Sequence, residues 1–133
     1  MLPIFRSDFS IGKSILTLNH PDKTSEGGSD SIFEIAKSNN FEQLILVENC
    51  LTGFLEAIKN SKEFDIQLIF GLMMTICDDL SIEPKKGSRQ DESNIIIFAK
   101  NGVGCKLLNK IYSKAFTEGF GRIDYKNLKK LWS

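Results

Sequence analysis

The chain is poor in the residues that metal and nucleophile chemistry needs. Its 133 residues include one histidine, His20, one tryptophan and three cysteines. A single imidazole cannot furnish a histidine-rich multinuclear metal centre. Cys50, Cys77 and Cys105 are odd in number and widely spaced, with no CxxC pair. That excludes a zinc knuckle or a thioredoxin-like motif and leaves reduced, mostly buried thiols. Ser7, Ser10 and Ser14 stand near His20 in sequence, but without a G-x-S-x-G they make no hydrolase triad. A charge excess is missing too, since 17 Lys and Arg balance 17 Asp and Glu. A domain that grips nucleic acid alone usually carries a basic surplus, so balance favours a protein partner. Long apolar runs are absent: Leu68–Met74 and Ile95–Ala99 are strand-sized, far short of the ~20 residues of a bilayer span. The start, Met1 to Arg6, lacks the basic stretch and apolar core of a signal peptide. A cytoplasmic protein with no membrane partner is expected.

What is present suits an ordinary globular domain. Hydrophobic residues make up 41% and charged residues 26%, and ten phenylalanines supply much of the apolar bulk. Residues 1–133 are expected to form a single domain.

The pattern along the chain alternates. Leu2–Arg6 reads as a short strand. Ser7–Ser29, with Gly12, Pro21, Gly27 and Gly28, reads as a long loop. Ser31 and Glu34 have capping-box spacing at the start of a helix that reaches Lys37. Leu44–Val47 is a continuous apolar run, as in a strand covered on both faces. Leu51, Phe54, Leu55 and Ile58 recur at helical spacing. Ile66–Cys77 and Asn94–Lys100 read as strands, separated by a charged connector, Asp78–Ser93. A helix carrying Leu107, Leu108, Ile111, Tyr112, Ala115 and Phe116 follows, then a short one from Tyr125 to Trp132. The order predicts an α/β domain with a largely parallel sheet.

Glycine-bearing turns and lysine clusters are weaker signals. Asn101–Gly104 opens a helix but is neither a P-loop nor GxGxxG, so it reads as a turn. Gly119–Arg122 also reads as a turn. Lys85, Lys86 and Arg89, and separately Lys126, Lys129 and Lys130, are small basic clusters that give only weak support for DNA contact.

Three segments together carry a resemblance. Ile95–Asn101, Gly104, Leu107 and Leu108, Ser113–Ala115, Thr117–Phe120 and Arg122–Asp124 resemble a stretch of the PHP domain of bacterial replicative DNA polymerase III alpha subunits. That stretch runs through a strand ending "AKN", then "GYKNL", "KAYTEGF" and "PRID". Arg6–Ser10 resembles the same family's first motif, in which a His-x-His pair precedes "TEFS" or "SDYS". Leu44–Asn49 with Gly53, and later Leu68–Gly71, resemble "ALTDHGN…G" and "PIIGCE". The likeness covers nearly the whole chain but only the leading part of the family's domain.

The resemblance implies a partial PHP-like (β/α) barrel and a place in DNA replication. It also implies a degenerate metal site. In active members, clustered His, Asp, Glu and Cys hold metals that activate water. The matching positions here are Ile4 and Arg6 for the first motif, Glu48 and Asn49 for the second, and Leu72 or Met73 for the third. Ile4 has no donor atom and Arg6 is permanently cationic. No cofactor is therefore expected, beyond at most a single Mg²⁺ or Mn²⁺ on carboxylates such as Asp8, Glu48, Asp78 or Asp79. A salt bridge between Arg6 and Glu48 could stand where the metal charge was.

The expected function is a non-catalytic accessory module that docks on a DNA polymerase or other replisome polypeptide, polymerase activity belonging to the larger assembly. A domain cut short would leave a sheet edge or apolar face for such a partner. The alternative is a metal-dependent phosphoesterase or 3′–5′ exonuclease with an altered site. A third reading is a small regulatory protein of phage origin.

Overall fold

A computed structural model describes residues 3–84 and 91–132. The expected basic cluster Lys85, Lys86 and Arg89 lies outside them. The chain divides into two compact units, Met1–Leu72 and Met73–Ser133.

In the first unit, strand β1 (Ile4–Phe5) pairs in parallel with β4 (Gln43–Glu48). β4 pairs in parallel with the first half of β5 (Gln67–Cys77), Gln43 opposite Gln67 through Glu48 opposite Leu72. Leu44 and Leu46 are fully buried, as the unbroken apolar run requires. Between β1 and β4 the expected loop is more structured than its composition suggests. It contains helix α1 (Asp8–Ile11), strand β2 (Leu16–Thr17), a 3-10 turn (Pro21–Lys23) and strand β3 (Asp30–Ser31), with β2 and β3 parallel. Leu18 and Thr17 are buried, so a few apolar side chains were enough to fold a polar stretch.

Helix α2 (Ile32–Ser38) starts where the capping box stands, but no side-chain cap forms. Ser31 belongs instead to the β2–β3 ladder and its hydroxyl is buried without a partner. Ile32, Phe33 and Ala36 pack inward. Helix α3 (Phe54–Glu63) is rotated from its apparent stripe: Ala57, Asn60 and Ser61 are buried, while Leu55 faces solvent. The cause is a buried polar anchor, Asn60, whose Nδ2 donates to Leu18 O at 2.7 Å. That bond holds the helix against the loop.

The second unit takes up the second half of β5. Strand β6 (Glu92–Phe98) lies beside β5, and β7 (Arg122–Asp124) pairs with it in parallel, Thr75 opposite Arg122. Helix α4 (Gly102–Glu118) turns Leu108, Ile111 and Ala115 inward, and Asn101 caps it by accepting from Gly104 N at 2.9 Å. A tight turn then feeds β7. A Cβ on Gly119 would stand 2.2 Å from Arg122 O, so the close approach requires glycine there. Helix α5 (Tyr125–Trp132) closes the described chain and buries none of its own residues. Each α/β unit has parallel pairing, and among the described residues no strand pairing closes a barrel.

β7 is short but wholly buried, and two of its three residues are charged. Arg122 donates to Glu92 Oε1 at 3.1 Å, Ile82 O at 2.7 Å and Gly119 O at 3.0 Å. Asp124 accepts from Leu80 N at 3.1 Å, and from Asn127 N and Nδ2 at 2.7 and 2.8 Å. Burial alone would raise the Asp124 pKa, but the bonds from Asn127 and Leu80 outweigh it and hold the carboxyl below its ordinary value. Asp124→Ala is expected to destabilise the protein by about 2–4 kcal/mol in urea unfolding, through the lost helix cap and the stranded Leu80 amide. With the folded pKa depressed, this contribution is complete above the unfolded value of about 3.9 and is lost as pH falls through the folded one. Asp124→Asn is therefore expected to narrow the difference in urea midpoint between pH 7 and pH 3.

Candidate functional site

In open parallel sheets, ligands gather at the carboxyl ends of the strands. In the first unit, β1 and β4 bring their carboxyl ends to one rim. β1 leads into Arg6 and Ser7, where Ser7 is the N-cap of α1 and its Oγ accepts from Phe9 N at 3.2 Å. β4 ends at Glu48, followed by Asn49 and Cys50. The Ser7 amide donates to Glu48 Oε1 at 2.8 Å. Ser10 Oγ donates to Asn49 Oδ1 at 2.6 Å and accepts from Asn49 N at 2.7 Å. The Cys50 thiol donates to Phe9 O at 3.3 Å. Two segments 41 residues apart are thus tied together at one point.

Each expected site position can now be placed. Ile4 is exposed, and Arg6 is half-buried. Glu48 is buried, with only 1% of its surface exposed. Leu72, one of the two positions expected for the third motif, stands opposite Glu48 in register. Met73 is half-buried in β5 and belongs to the other unit.

The Arg6–Glu48 salt bridge is not formed. Glu48 Oε1 takes the Ser7 amide, while Glu48 Oε2 and Arg6 Nε are both buried without a hydrogen-bond partner. Ile4 pairs with Ile45 and Phe5 with Leu46, so Glu48 follows Leu44 and Leu46 onto one face. Arg6 lies just past the end of β1.

The chemistry of the rim is that of hydrogen bonding. Among the described residues, no group of three or more His, Cys, Asp or Glu could hold a metal ion. Asp8 and Glu48 each present one buried, unpartnered carboxylate oxygen. Asp78 and Asp79 belong to the second unit and are exposed. Asp79 accepts from the hydroxyl and amide of Ser81, which hold its carboxyl below the ordinary range. His20 is used structurally: Nδ1 accepts from Asp22 N at 3.2 Å, Nε2 lies 3.3 Å from Glu63 Oε1, and the ring packs on Phe64. Cys77 is buried, and desolvation pushes its thiol pKa up, the direction away from reactivity.

Glu48 and Asn49 were expected site positions; the partners that the structure gives them, Ser7 and Ser10, were not. Ser7 carried a signal, since a hydroxyl before Asp8-Phe9 is an N-cap pattern. Compared with protein-family models and with curated proteins, the chain matches none.

Since Arg6 and Glu48 do not pair, Arg6→Ala and Glu48→Ala should add within about 0.5 kcal/mol in a double-mutant cycle. Glu48→Ala alone is expected to cost about 1–3 kcal/mol by stranding the Ser7 amide. Glu48→Gln, which keeps an acceptor oxygen, should cost clearly less. Urea unfolding of the four variants measures all of this, and a coupling above 1 kcal/mol would restore the salt bridge.

Proposed function

We propose that this chain is a non-catalytic PHP-like module of a DNA replication polymerase, built as part of a PHP-like (β/α) barrel, which docks on another polymerase polypeptide. The observation that supports this best is the meeting of the two segments that resemble the family's first two motifs. Arg6–Ser10 and Glu48–Cys50 adjoin at the carboxyl ends of neighbouring parallel strands, where a PHP-like metal site would lie. The side chains there are Ile4, Arg6, Glu48 and Asn49 in place of metal ligands. The Glu48 carboxylate, accepting a hydrogen bond from the Ser7 amide, keeps the rim folded where a metal would otherwise organise it. The module's contribution to replication is then architectural.

Affinity purification of the tagged protein from its native cells, joined to a nuclease assay, tests this. A polymerase or other replisome polypeptide should come with it in near-equal amount. Purified protein given Mn²⁺, Zn²⁺ or Mg²⁺ should leave single- and double-stranded DNA intact. Metal-dependent release of nucleotides that disappears in Glu48→Gln would replace this reading with the phosphoesterase or exonuclease one. Recovery of the protein alone, folded, would refute the docking role.

A further inference from the structure

The balanced net charge conceals a polar distribution. Residues 99–133 hold eight of the 17 Lys and Arg but only two of the 17 Asp and Glu. Both acids are engaged. Asp124 is buried as the cap of α5, and Glu118 pairs with Lys114. Arg122, the one arginine of this stretch, is buried as well. The exposed charge that α4 and α5 themselves carry is therefore mostly lysine, with Lys126 and Lys130 beside a hollow that Asp79, Glu118 and Asp124 also line.

Amid this lysine lies carbon surface that is exposed among the described residues. Tyr125 is 63% exposed and Trp132 55%. With Leu128 and Lys129 they line an open groove of about 580 Å³ along α5. Trp132 also forms a wall of a second hollow, about 290 Å³, with Phe98, Lys100, Leu107 and Leu108. One aromatic side chain thus joins an apolar groove to a hollow of mixed lining, and each has a lysine in its lining. Contiguous exposed apolar surface of this kind marks interaction sites, and aromatic anchors dominate their energetics. An eight-residue helix with none of its residues buried is costly to keep for its own unit's core.

We infer that the α5 face, centred on Tyr125, Leu128 and Trp132, is a docking groove for an acidic amphipathic segment of a partner polypeptide. Charge complementarity selects this occupant. An amphipathic helix laid in the groove would set aliphatic or aromatic side chains at helical spacing against Trp132 and Leu128, and its carboxylates would meet Lys100 and Lys129. A second copy of this chain is disfavoured, because two such faces would bring lysines together. A nucleic acid strand would need cations spaced along a phosphate track. Here the walls of the groove on α5 are carbon, with a single cation. The inference rests on the reading above for its partner being a polypeptide, and on α5 for the place and chemistry of contact.

Trp132 is the sole tryptophan, so its fluorescence reports the groove directly. The 133-residue protein would be titrated with a synthetic acidic helical peptide of about four turns, with Leu and Phe at i, i+3, i+4 and i+7 and Glu elsewhere. Controls are a lysine version of that peptide, a scrambled acidic one, a single-stranded oligonucleotide and anionic phospholipid vesicles. The acidic amphipathic peptide should blue-shift Trp132 emission, and the lysine and scrambled versions should not. Lys129→Glu, an exposed position, is expected to weaken binding about tenfold without changing the circular dichroism spectrum, and salt should weaken it further. Leu128→Ala should weaken it comparably with little salt effect.

A blue shift with oligonucleotide or vesicles and none with the peptide would overturn the assignment. So would concentration-dependent self-association that Trp132→Ala abolishes. Absence of a polymerase on purification, with peptide binding intact, would refute the replication reading and leave the groove standing. No peptide response alongside a co-purifying polymerase would do the reverse.

Discussion

Alternation of side chains along paired strands is the constraint on which the first unit depends. Once Ile4 is opposite Ile45 and Phe5 opposite Leu46, every later side chain on β1 and β4 is assigned to a face. Leu44, Leu46 and Glu48 go to one side, and Glu48 must then be accommodated where its neighbours are fully buried. A buried carboxylate is tolerable only with hydrogen-bond donors. The nearest is the backbone of the following turn, so the Ser7 amide takes Oε1. That bond places α1, and α1 places Ser10 against Asn49. The arrangement of the rim follows from the face that parity assigns to Glu48.

The second unit rests on a different device. Arg122 and Asp124 are buried on β7 on either side of Ile123, yet neither uses the other as its partner. Each is spent on capping and carbonyl contacts: Arg122 on the Gly119 and Ile82 carbonyls and Glu92, Asp124 on Leu80 and the start of α5. Such contacts have direction, which apolar packing lacks. They fix where α5 leaves β7 without burying any of its side chains. The helix is thus oriented from its base, and its aromatic face is left available.

Regular elements were legible wherever hydrophobic period alone decided them. β4, β5, β6, α4 and α5 fall close to where the sequence placed them, and the α/β class with parallel pairing followed from their order. The misreadings share one physical cause, which is polar groups at buried positions. Asn60 turned the inner face of α3 away from Leu55, because a side-chain amide bonded to Leu18 O outranks one more leucine in the core. Ser31 was read as a cap and serves a strand ladder. β7 went unseen because Arg-Ile-Asp has no apolar run; its burial depends on partners 30 to 44 residues away. At the rim, Glu48 and Asn49 stand where the apolar run of β4 ends, which the sequence shows. The atoms that satisfy them come from Ser7 and Ser10, whose nearness only the folded chain reveals.

A net charge of zero is likewise a sum that sequence order can hide. Interactions between exposed charges fade over about 8–10 Å at physiological salt, so a partner in the groove responds first to Lys129, while Lys126 and Lys130 share a hollow with Asp79, Glu118 and Asp124. The helix that has no acidic residue is also the one whose aromatic side chains are uncovered. These two properties reinforce each other. Lysine around exposed carbon would set like surfaces against each other. The same lysine lowers the barrier for a partner of opposite charge. An apolar face can be carried in the open when its rim discriminates in this way, and the aromatic side chains are then used only after charge has brought the right surface near.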